Sequence, residues 1–133
     1  MLRQMPFAGL AALPLALLLQ ACSSTPPTSQ VLTADSQCPL AAQPGQLLIL
    51  NLPGNPTTGY RWNLVEATQG VLESLGPEVF HSPQDEVIGG EGTSTWRFQV
   101  TGAGAGRLYL TYARPWETSV EPTAQFDCRV EAR

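Results

Sequence analysis

Lysine is absent from this chain of 133 residues: all seven basic side chains are arginines, and only 14% of the residues are charged. Eleven Asp and Glu outweigh them, giving a formal net charge of −4. A nucleic-acid phosphate backbone is repelled by that balance, so nucleic-acid binding is excluded. Histidine occurs once, as His81. One His and a few Cys do not supply the three or four ligands of a zinc site, so neither a metal nor another cofactor is expected. Helical periodicity is missing beyond the first twenty or so positions, and no apolar run reaches the roughly 20 residues that span a bilayer as a helix. What the chain does have is punctuation, twelve Gly and twelve Pro, which suits short strands joined by turns. The length allows one domain with a real core.

The N-terminus reads as an address. Arg3 supplies one positive charge, Met5 to Leu19 form an apolar stretch broken by Gly9 and Pro14, and Leu19-Gln20-Ala21-Cys22 closes it before a polar run. This is the pattern of a signal peptide over residues 1–21. Its ending resembles the lipobox of bacterial lipoproteins, which implies that Cys22 is acylated and becomes the new N-terminus. An ordinary signal peptide cut elsewhere, or a short membrane helix, are the other readings of the segment. The resemblance also implies, from Ser23 in place of an Asp, passage to the outer membrane, facing the periplasm. Cleavage leaves six arginines against the eleven acidic groups. Residues 22–37, rich in Ser, Thr and Pro, are expected to be a flexible tether, and residues 38–133 the folded domain.

With Cys22 assigned to lipid, Cys38 and Cys128 remain at the two ends of the domain. In an oxidising compartment they are expected to form a disulfide. The same oxidation argues against a thiol-protease triad of either Cys with His81 and Asp127, so the chain is not expected to be an enzyme.

Thr95 to Val100 and Phe126 to Glu131 alternate apolar and polar residues with a period of two, as half-buried strands do. Leu48, Leu50 and Leu52 share one face, as do Leu108, Leu110 and Tyr112, and Tyr60, Trp62 and Leu64. Val71 to Leu75 and Glu78 to His81 are weaker candidates, and Gly102 to Gly106 is expected to be a tight reversal. Seven or eight such strands predict an all-β protein of two packed antiparallel sheets.

Three connections are built for more than turning. The first, Pro53 to Gly59, contains Asn55, Pro56, Thr57, Thr58 and Gly59: proline fixes φ, glycine permits positive φ, and Asn and Thr bond their own backbone. It is expected to be rigid, although a plain hairpin connection has the same composition. The second includes Asp85, Glu86, Gly89, Gly90, Glu91 and Gly92, where the lack of side chains lets another backbone come close. No P-loop lysine or following helix supports a phosphate cradle there. The third contains Arg114, Pro115 and Trp116. Arg and Trp are the types most enriched at interface hot spots, and the neighbouring proline argues against the alternative that Trp116 is core.

The sequences NPTTGY from Asn55 to Tyr60, the glycines around Glu91, and RPW from Arg114 to Trp116 resemble, in order and spacing, the chagasin family of inhibitors of papain-like cysteine proteases. Trp62 fits as well, and the resemblance runs from about Pro39 to Val130. It implies an immunoglobulin-like sandwich whose three loops lie side by side and enter a protease cleft. Thr57 and Thr58 would sit nearest the enzyme's Cys and His, Gly89 to Gly92 would lie along the substrate groove, and Arg114, Pro115 and Trp116 would pack on the primed side, with Tyr60 and Trp62 supporting from beneath. Glu91 and the Cys38/Cys128 pair depart from the family pattern. The partner implied is a papain-like protease, met by a monomer whose membrane contact is the lipid alone. A non-inhibitory envelope module binding protein or polysaccharide on the same scaffold is the rival function.

Overall fold

Alternation decides which side of each strand is buried, and in this chain the alternating segments become two sheets with their apolar faces together. The structure, a computed structural model, describes residues 3–6, 9, 11–16, 28–82 and 90–133. The described strands are β1 (Gln30–Leu32), β2 (Leu40–Ala42), β3 (Leu47–Gly54), β4 (Arg61–Ala67), β5 (Leu72–Ser74), β6 (Val79–His81), β7 (Gly92–Val100), β8 (Gly104–Ala113) and β9 (Ala124–Ala132). One sheet has the order β1-β3-β7-β5, with β6 also on β7, and the other the order β2-β9-β8-β4. β1 on β3 and β2 on β9 are parallel; the remaining pairs are antiparallel. This is the expected immunoglobulin-like sandwich. Among the described residues no helix is long and apolar enough to cross a membrane.

Leu48, Leu50, Phe98, Val100, Leu108, Leu110, Phe126 and Val130 are all buried between the sheets. Register makes them meet: Leu48 lies opposite Phe98, Leu50 opposite Trp96, and Leu110 opposite Phe126. Each such side chain contributes about 1.5–3 kcal/mol of transfer free energy, so these inner faces hold the sandwich together. Cys38 and Cys128 are joined as a disulfide with Cα atoms 5.4 Å apart and a sequence separation of 90. Cys128 is wholly buried, so the bridge fastens the entry of β2 to the centre of β9 from inside the core.

Three expectations are corrected. The tether does not extend to Gln37: β1 is hydrogen-bonded to β3 and Leu32 is 2% exposed, so residues from Gln30 onward belong to the sandwich. Gln37 itself accepts from the backbone N–H groups of Thr33 (2.7 Å) and Ala34 (3.1 Å), ordering the turn that follows. Because β1 and β2 are both strands beyond those expected, the described strands number nine where seven or eight were predicted. The Gly102 to Gly106 reversal is shorter than predicted, since β8 begins at Gly104.

Strand direction gives the sandwich two poles. The ends of β3 and β8 and the starts of β4, β7 and β9 lie at one, the loop pole. The turns at residues 43–46, 68–71 and 101–103 lie at the other, the base, where the Gly45 N–H donates to Val100 and that of Thr101 to Val71.

Candidate functional site

At the loop pole the first connection is closed on itself. Asn55 is extended (φ −138°) and caps the 3-10 turn Pro56–Thr58: its side-chain oxygen accepts from the Thr57 N–H (3.2 Å) and the Thr57 hydroxyl (2.6 Å). The Thr58 hydroxyl donates to the Asn55 carbonyl at 2.7 Å. Gly59 ends the turn at φ +82°, a left-handed conformation that costs a side-chain-bearing residue about 1–2 kcal/mol. The stems are pinned from below. The Asn55 N–H donates to the Tyr112 hydroxyl (3.0 Å) and the Trp62 indole N–H to the Pro53 carbonyl (2.9 Å), while the Tyr112 ring lies against Tyr60 and Trp62. Trp62 thus supports the loop from the core as expected; Tyr60 does so from a half-exposed position.

The third connection leans on the first. The Arg114 guanidinium donates through Nε to the Thr58 carbonyl (3.0 Å) and through Nη1 to Glu117 (3.1 Å), and stacks 4.5 Å over Tyr60. Its planar fork thereby joins two loops. Its side chain remains 35% exposed beside Trp116. Trp116 is 67% exposed, so the core alternative falls. One edge of its ring rests on Gly59, where a Cβ would come within 2.3 Å of Cη2. Pro115 is exposed beside it.

Of the second connection, Gly90, Glu91 and Gly92 are described; Gly89, like Cys22, lies outside the described residues. Gly92 pairs with Gly54 across β7 and β3, which sets the second loop beside the first. The close backbone approach expected at the glycines is, at Gly92, an internal one: a Cβ there would meet the Phe80 ring at 2.3 Å and the His81 carbonyl at 2.4 Å. Glu91 is exposed. Further along β7 the buried Ser94 hydroxyl donates to the Glu78 carboxylate and accepts from the Trp96 indole N–H (3.0 Å), tying the approach to β6 onto β7.

Sequence reasoning missed Tyr112, Phe80 and Glu78 as supports. A strand-end Tyr has one legible signal, a hydroxyl that must find a partner when half-buried. The crevice under the first loop, between Asn55, Tyr60, Trp62 and Phe80, has a volume of about 10 Å³. That holds at most one water. Among the described residues no cluster of His, Cys, Asp or Glu could hold a metal.

The sandwich and its pole define a class: an immunoglobulin-like domain that presents stiff loops at one end. Residues 41–130 match the family described as Chagasin family peptidase inhibitor I42, and the chain belongs to the chagasin family. Members of that family are peptidase inhibitors and not enzymes. Chagasin of Trypanosoma cruzi is 29% identical over 109 residues, covering 77% of this chain and 96% of its own. The cysteine protease inhibitor EhICP2 of Entamoeba histolytica superposes with a TM-score of 0.67 at 22% identity, covering 80% of this chain and 96% of its own. PbICP-C, solved in complex with falcipain-2, gives 0.52 at 18%, covering 82% and 93%. At those identities the two structures bear on the fold.

Proposed function

We propose that the protein is a reversible, tight-binding inhibitor of papain-like, cathepsin L-like cysteine proteases, carried in the bacterial envelope by a lipid on Cys22 and facing the periplasm from the outer membrane. Family membership supports inhibition. The occlusion by three loops is supported by one observation: the first loop is bonded internally and buttressed by Arg114, while Trp116 beside it stays exposed. A loop ordered before docking loses little entropy on binding, so more of the contact energy appears as affinity. The proline-bounded turn presents no extended peptide bond at attack distance from the enzyme's thiolate, so the inhibitor is cleaved slowly or not at all. Thr57 and Thr58 expose the tip toward the catalytic pair, Gly90 and Glu91 continue along the substrate groove, and Pro115 and Trp116 pack on the primed side.

Titration of papain with the purified protein, followed with a fluorogenic peptide, tests this. Stoichiometric loss of activity, recovered intact on dilution, is expected. Undiminished activity at micromolar protein would overturn it.

A further inference from the structure

The direction of β1 fixes where an anchor can pull. β1 runs parallel to β3, with Gln30 beside Leu48 and Leu32 beside Leu50, and β3 runs from the base to the loop pole. The chain that precedes Gln30, including exposed Thr28 and Ser29, therefore leaves the sandwich at the base, opposite the loops. We infer that the anchored domain stands on the membrane by its base and offers the loop pole outward, so that its partner is a protease free in the aqueous compartment and not one whose cleft lies against the same membrane. This rests on the lipid-anchor reading above.

Lengths turn the direction into a constraint. β8 traverses the sandwich from Gly104 to Ala113, 10 residues, or about 33 Å at the strand rise. From Cys22 to Gln30 the chain can span no more than about 28 Å whatever its conformation, at roughly 3.5 Å per residue. A papain-like enzyme of some 200 residues is about 40 Å across. Turning the loops toward the bilayer with such an enzyme between would place the base about 70 Å away, well beyond that reach. Even a free segment extending to Gln37, adding close to another 28 Å, would leave the reach short of that distance.

Energy transfer to a bilayer acceptor tests the orientation without requiring inhibition. A dye is attached to the full-length, lipid-bearing protein in phosphatidylglycerol-containing vesicles at either of two exposed turns, through Ala103→Cys at the base or Ser119→Cys at the loop pole. Several-fold stronger quenching of the base dye than of the loop dye is expected. Equal or reversed quenching, or none at either position, would overturn the inference, whereas a domain that stands upright yet leaves papain active would overturn only the inhibitory reading.

Discussion

Gly59 is the residue on which two loops depend at once. Its positive φ ends the first loop, and its missing side chain is the seat of the Trp116 ring. Gly59→Ala is expected to keep the fold but displace Trp116, weakening inhibition of papain about as much as Trp116→Ala does, with the double substitution little worse than either. Trp116→Ala should raise the inhibition constant by about 30-fold, as loss of a central anchor of about 2 kcal/mol does, while urea unfolding shifts by less than about 0.5 kcal/mol because the ring is already 67% exposed. Arg114→Lys keeps the charge and removes the fork to Thr58 and the stack on Tyr60. About a tenfold loss of affinity is expected, since hydrogen bonds to a charged donor contribute about 1.5–3 kcal/mol. Unchanged inhibition constants for both Trp116→Ala and Arg114→Lys would contradict a joined pair of loops.

Among the elements, β2 and β9 are held by the Cys38–Cys128 bridge. Replacing both cysteines by alanine should lower unfolding free energy by about 4.5 kcal/mol, the loop-closure value for a span of this length, read from urea unfolding without reductant. β8 and β9 are also linked on their outer faces, where the Arg107 guanidinium donates to both oxygens of Asp127 at 2.8–2.9 Å. That hydrogen bonding holds the Asp127 carboxyl below its usual range. The folded protein therefore binds this proton less readily than the unfolded chain, so its stabilisation is present above about pH 4 and fades as pH falls through the depressed folded value. Asp127→Asn should accordingly cost a little thermal stability at pH 7 and progressively less as the pH falls below about 4; a loss that does not change with pH would exclude the ion pair as the cause. Strong alternation made β3, β7, β8 and β9 legible, because a period of two survives in any context. β1 was not legible: its three residues follow a polar run, and only the edge of β3 makes them a strand.

Over the whole molecule, the all-β fold class follows from patterns a sequence carries, namely alternating faces and turn residues of fixed φ, whereas the adjacency of the loops is implied by the family resemblance alone. The division of labour within the loops follows from neither, since it depends on which groups meet across the pole. Arg114 and Gly92, which resemble contact residues by type, also make contacts within the molecule, while Tyr112, distant in sequence, holds Asn55. The central claim is that one pole carries the binding. Amide hydrogen exchange of the protein alone and in complex with inactivated papain tests it most directly. Added protection is expected at residues 55–59, 90–92 and 114–117, with the base turns at 43–46, 68–71 and 101–103 unchanged; protection concentrated at the base or on an outer sheet face, with the loop pole unaltered, would contradict it.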